Sequence, residues 1–149
     1  MLNNKIPPLI IALIFATLMA VIARYSIIDL NELILYFSMA CVAIGSIFVL
    51  AAVLSFRLAN TTVNPHQLEN TSTLITHGIF KITRNPIYVG LVFLLIGWGI
   101  WLSSLWALLG VIGFMGYLTL FQIMPEERAL TKLFGDEYIV YKSRVRRWL

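Results

Sequence analysis

Two short constellations in this sequence hold residue types that do chemistry. Glu126 and Glu127 are adjacent carboxylates at the end of one apolar run, and Arg84-Asn85-Pro86-Ile87-Tyr88 sets a cation, an amide and a phenol at the start of another. Ionisable groups beside a membrane interior are costly to keep there, which makes them functional candidates by default. The ordinary alternative is that both acids sit in the first turn of a helix and pair with Arg128 or Arg84, while Arg84 and Tyr88 are interface anchors. If the two constellations lie on the same membrane face, they can share one pocket. Two neighbouring carboxylates are not a metal site by themselves, and His66 and His77, 11 apart, match no zinc spacing, so no metal is expected. Cys41 is the lone cysteine and reads as a small buried hydrophobe, with no disulfide framework. Gly90, Gly97, Gly99, Gly110, Gly113 and Gly116 follow no strand, which excludes a dinucleotide-binding turn and leaves close helix packing.

The elements that must position these groups follow from composition. The 149 residues are 60% hydrophobic and 12% charged, with a mean hydropathy of +0.88. A soluble domain carries roughly 45–50% apolar and about 25% charged residues, so the expected class is an all-α polytopic membrane helix bundle forming a single domain over 1–149. A bilayer core of about 30 Å takes roughly 20 helical residues. Uncharged runs then give spans at about 7–23 and 33–56, and the 38 residues from Ile87 to Met124 give two more, 87–103 and 105–124, turning at Ser103-Ser104. The first run is read as a span rather than a cleaved signal peptide, since more membrane follows it.

Charge then sets orientation. With four spans, the N-terminus, the loop 57–86 and the tail 125–149 share one side and hold ten of the eleven Lys and Arg residues, against Arg24 alone on the other. That bias puts both termini in the cytoplasm. The basic residues flank apolar spans, so the net charge of +4 points to anionic lipid of the bilayer and not to nucleic acid. The cytoplasmic loop of 30 residues carries enough apolar side chains to be ordered at the membrane surface, with a turn at Gly78 and the third span starting at Pro86 as its first helical residue. In the tail, Pro125-Glu126-Glu127 reads as a helix N-terminus. Gly135 breaks that helix and Asp136 caps a second, amphipathic one. On it Tyr138, Tyr141, Val145 and Trp148 form an aromatic stripe, suited to lie in the interface or to fold over the bundle mouth.

The segment from Thr73 to Gly90, followed by Glu126-Glu127, Leu130, Phe134-Gly135, Glu137-Tyr138 and Tyr141, resembles the isoprenylcysteine carboxyl methyltransferase family. More broadly it resembles the membrane methyltransferases that include phospholipid methyltransferases. Thr61 to Pro65 is similar to the Thr-x-x-Pro segment of bacterial members. The resemblance implies an enzyme of the bacterial inner membrane that takes S-adenosylmethionine at the cytoplasmic face and methylates a lipid-like or small hydrophobic acceptor. Matched residue by residue, it gives cofactor contacts at Ser72, Thr73, Leu74 and Ile75, at Phe80, at Asn85, Pro86, Ile87 and Tyr88, and at Glu126. Arg84 takes a catalytic part in orienting an acidic acceptor, and Gln122 and Glu127 fall where substrate is bound. Two positions depart from the family pattern. Asn85 replaces the box histidine, and Gln122 replaces an arginine associated with a substrate carboxylate, which weighs against a carboxylate acceptor. The competing reading is a non-catalytic small membrane protein or partner subunit, which predicts no cofactor affinity.

Overall fold

The computed structural model of the chain describes residues 6–24, 32–59 and 73–149, and these are helical with no strand among them. Helix α1 runs Pro8–Ala23, α2 Glu32–Leu58, α3 Pro86–Trp101, α4 Leu105–Leu118, α5 Met124–Phe134 and α6 Asp136–Arg144. A 3₁₀ turn, Gly78–Lys81, precedes α3. The fold is an all-helical membrane bundle. Helix α2 and the continuous helical stretch Leu105–Phe134 are long and apolar enough to cross a bilayer, and α1 and α3 are shorter apolar helices.

Helix α3 is the centre of the bundle, with α2 along one side and α1 and α4 packed on it and on each other. Apolar side chains from α1, α3 and α4, among them Met19, Leu95, Phe114 and Leu118, make the core. Most of the remaining face of α1 and α2 is exposed leucine, isoleucine, valine and phenylalanine, as a lipid-facing surface requires. Small residues bring α2 and α3 together: a Cβ on Gly45 would lie 2.7 Å from the Gly90 carbonyl, and one on Gly90 2.7 Å from the Gly45 carbonyl. Gly90→Ala must therefore push the two backbones apart. A loss of about 1–3 kcal/mol is expected, typical of overpacking a tight contact, to be read as a lower unfolding temperature in detergent. A hydrogen bond adds to this contact, Ser38 Oγ donating to the Gly97 carbonyl at 2.8 Å, and another ties α3 to α1, Trp98 Nε1 donating to the Ala16 carbonyl at 3.0 Å.

Several boundaries fall where the residue types put them. Pro86 opens α3, the turn between α3 and α4 falls at Leu102–Ser104 with the Ser104 side chain accepting from Ala107 N–H, and Gly78 and Gly135 both have positive φ. Three expectations need correcting. The helix that carries the acids does not start at Pro125. It runs through from α4 by a π turn, Thr119–Ile123, in which Met124 N–H donates to the Thr119 carbonyl five residues back. Proline lacks the N–H that would bond four residues back. The π turn has already shifted the hydrogen-bond ladder just ahead of it, so the helix continues instead of beginning. Second, Asp136 is the first residue of α6 and makes no capping hydrogen bond; Gly135 occupies the cap position. Third, α6 ends at Arg144 and Val145 is extended, so Val145 and Trp148 are not part of a helical stripe. Trp148 folds back against the bundle core instead.

Candidate active site

Everything that meets at the start of α3 encloses one cavity of about 370 Å³, within the range of roughly 300–1,000 Å³ typical of small-molecule sites. Its apolar lining comes from Pro7–Leu9 before and within α1, Val49 and Phe56 of α2, Leu74, Ile75 and Phe80 of the loop, and Leu91 and Leu130. Its polar lining comes from Arg84, Asn85 and Tyr88, Glu126 and Glu127 of α5, and Tyr138 and Tyr141 of α6. The two constellations thus face each other across one space. The structure brings together Thr73, Leu74, Ile75, Phe80, Arg84, Asn85, Pro86, Ile87, Tyr88, Glu126 and Glu127. Ser72 and the segment Thr61 to Pro65 lie outside the described residues.

Gln122 is not brought there. It sits on the π turn with no exposed surface, and its Nε2 donates to the Ile6 carbonyl at 2.8 Å. Its expected place as a substrate contact is therefore corrected: the side chain ties the start of α1 to the π turn instead of lining the cavity.

The two glutamates have opposite surroundings. Glu126 is 9% exposed and accepts from the Tyr88 hydroxyl at 2.5 Å; among the described residues no cation pairs with it. Glu127 is ringed by cations: Arg84 NH1 lies 3.1 Å from Oε1, Lys142 Nζ 3.6 Å from Oε2, and Arg147 donates to both oxygens at 2.9 and 2.8 Å. The pairing of Glu127 with Arg84 is the ordinary reading made above, and here it coexists with a cavity. Glu127 is thereby committed to protein partners, while Glu126 presents its carboxyl group to the cavity.

The C-terminal segment closes the wall. Arg84 N–H donates to the Arg146 carbonyl at 3.0 Å, and the Arg147 carbonyl accepts from Thr83 Oγ1 at 3.1 Å and from Asn85 Nδ2 at 2.9 Å. From α6, the Tyr141 hydroxyl donates to the Phe80 carbonyl at 2.7 Å, and the Tyr138 hydroxyl accepts from Arg84 NH1 at 3.3 Å. Phe80 itself stands edge-on to Phe56 at 5.4 Å between ring centres. Burial pushes the Tyr141 phenol well above its ordinary value of 10, with the neighbouring Tyr138 adding to the effect. A phenol raised in the folded state contributes stability that is complete below pH 10 and drains as pH rises above it. Tyr141→Phe should cost about 0.5–1.5 kcal/mol at neutral pH, since it leaves the Phe80 carbonyl without its donor. It should also blunt the loss of stability above pH 10, both measured by thermal unfolding.

Arg147 and Thr83 are site residues that sequence reasoning missed. Arg147 is one of four cations in six residues, Lys142 to Arg147, and nothing local distinguishes it from Arg144 or Arg146. Burial pushes no metal-binding set together either: among the described residues no group of three or more His, Cys, Asp or Glu converges.

Fold and cavity together define the class: an integral membrane helix bundle with a ligand-sized pocket, polar on the side where α3 begins and α5 and α6 meet it. The sequence matches the phospholipid methyltransferase family over residues 33–137, and the chain belongs to that family of membrane methyltransferases. It is also 48% identical over 63 residues to an uncharacterized protein of Haemophilus influenzae, a stretch that covers 42% of this chain and all of that protein. No solved structure matches the chain.

Proposed function

We propose that this protein transfers a methyl group from S-adenosylmethionine to a lipid-like or small hydrophobic acceptor at the cytoplasmic face of the membrane. The observation that carries the reading is Glu126, a buried carboxylate on the cavity wall with a phenol for a partner and no paired cation among the described residues. A carboxylate so placed suits a cationic ligand, since a buried charge is costly until it is paired. Glu126 holds the cofactor's ammonium or ribose; Thr73–Ile75 and Phe80 enclose the adenosine; Pro86, Ile87 and Tyr88 close the same wall. S-adenosylmethionine supplies an electrophilic methyl on a cationic sulfonium. The remaining work of the chain is alignment of nucleophile, methyl carbon and sulfur in line. A largely apolar cavity favours the loss of charge as an anionic nucleophile meets the sulfonium.

Four crossings with both termini cytoplasmic belong to the same reading, because ten of the eleven basic residues then share the side that carries the cavity. Placement in a bacterial inner membrane belongs to this reading through the resemblance to bacterial members of the family. The acceptor's apolar part finds complementary surface in Pro7–Leu9, Val49, Phe56 and Leu130.

The test is binding of radiolabelled S-adenosylmethionine to the purified protein in detergent. Saturable one-site binding that S-adenosylhomocysteine competes away is the expected result. Absence of saturable binding sinks the reading and favours a non-catalytic membrane module.

A further inference from the structure

Gln122 is fully buried and only half satisfied. Its Nε2 donates to the Ile6 carbonyl at 2.8 Å, while its Oε1 is buried with no hydrogen-bond partner among the described residues. A buried acceptor without a donor is costly, and a native structure that keeps one calls for an explanation, since methionine or leucine would fill similar space without that cost. What the amide supplies in return is position. Among the described residues, its bond is the hydrogen bond that ties the chain ahead of α1 to another helix.

The π turn makes that reach available. Residues four apart on an unbroken α-helix share a face, so Gln122 would look into the cavity beside Glu126. The π turn Thr119–Ile123 spends one more residue on its turn, and Gln122, within it, reaches the start of α1 and leaves the cavity lining. The segment it holds has a particular chemistry. Pro7, Pro8 and Leu9 line the apolar half of the cavity together with Val49 and Phe56 of α2. The two prolines have a fixed φ and no N–H, so this wall is stiff and neither offers a ligand a donor. The Pro7 carbonyl is already taken, accepting from the Ile10 and Ile11 N–H groups at 2.9 and 3.3 Å. Such a wall suits hydrocarbon and disfavours a polar group, which would lose its hydrogen bonds there.

We propose that Gln122 is a positioning residue for the methyl acceptor: by holding Ile6 it sets the Pro7–Leu9 wall, against which an alkyl chain of the acceptor lies. That the chain belongs to a methyl acceptor rests on the methyltransferase reading. The alkyl site and its dependence on Gln122 rest on the geometry of α1 and the π turn.

The test is photolabelling of the full-length protein in phosphatidylcholine nanodiscs with a diazirine-bearing dodecanol, reading only the label that excess unlabelled dodecanol removes. Competable label is expected on the peptide that carries Pro7–Leu9 and on the one that carries Val49 and Phe56. Gln122→Met, similar in length but without a donor, lowers label on the first peptide roughly two- to tenfold, the factor of one lost hydrogen bond. It leaves the second peptide and S-adenosylhomocysteine binding unchanged. Pro7→Gly, which frees φ and keeps the Ile6 carbonyl, reproduces the local loss. The two changes combined lose no more than the larger one alone, since both release the same segment. A role for Gln122 in folding alone predicts equal loss at both peptides and weaker S-adenosylhomocysteine binding. That result overturns the proposal, as do unchanged labelling in Gln122→Met, additive losses in the double variant, or no competable label on the Pro7–Leu9 peptide of the wild type. Titration of the wild type with S-adenosylhomocysteine decides the methyltransferase reading separately: if it does not bind while the labelling behaves as expected, the alkyl site stands and the reaction assigned to it falls.

Discussion

Glu126→Gln is expected to weaken S-adenosylmethionine binding by a factor of roughly 30 to several thousand while leaving the fold intact. The range is that of removing one partner from a buried, hydrogen-bonded charge pair, about 2–5 kcal/mol. The substitution is chosen to isolate charge. Glutamine keeps the volume, and its amide oxygen still accepts from the Tyr88 hydroxyl, so the bond between α3 and α5 survives. Because the wild-type carboxylate is buried with no paired cation among the described residues, its neutralisation removes a desolvation cost, and thermal stability should hold or rise. The two readouts thus move apart: affinity falls and the unfolding temperature does not. 5′-Methylthioadenosine, which has no ammonium, should bind the variant nearly as well as the wild type if Glu126 holds the ammonium, whereas a ribose contact would make both ligands suffer. An affinity for S-adenosylmethionine within about threefold of wild type would show that Glu126 does not contact it.

The contrast between Glu126 and Glu127 also marks how far the sequence could be read. Apolar run lengths, the proline at Pro86, the serines at Ser103 and Ser104 and the glycine at Gly135 act within a few residues, and each sets the boundary its chemistry suggests. The meeting of Arg84, Asn85 and Tyr88 with Glu126 across one cavity was legible too, because a short apolar helix leaves few places for polar residues at its ends. Pro125 misled for a local reason that local rules miss. A proline signals a helix start when its absent N–H has no other explanation, but a π turn ending two residues earlier had already removed the need for it. Gln122 and Arg147 misled for a tertiary reason. The partners of Gln122 Nε2 and Arg147 lie 116 and 20 residues away, at Ile6 and Glu127, and only the folded chain selects Arg147 from its basic neighbours.

Glu127→Ala is expected to be the most destabilising single change in the site, at about 3–5 kcal/mol, because it strands buried positive charge. Arg84 loses its only carboxylate among the described residues while its side chain remains 8% exposed, and it cannot shed its proton to escape. Arg147, one-third exposed, and Lys142, nearly half exposed, can turn toward water, so most of the cost falls on Arg84. The backbone follows: with Glu127 gone, the Arg147 guanidinium has no carboxylate partner among the described residues, and the Arg146 and Arg147 carbonyls that cap the loop at Thr83–Asn85 lose their side-chain anchor. At roughly 2–4 °C per kcal/mol for a chain near this size, the unfolding temperature should drop by about 10 °C. Glu127→Gln keeps an oxygen toward Arg84 and should lose markedly less. Removing the charge that is stranded then gives the decisive comparison: Glu127→Ala combined with Arg84→Met should recover part of the lost stability, as replacing a buried ion pair with apolar side chains often does. A double variant no more stable than Glu127→Ala would mean that the carboxylate acts through packing and not through the charge it neutralises.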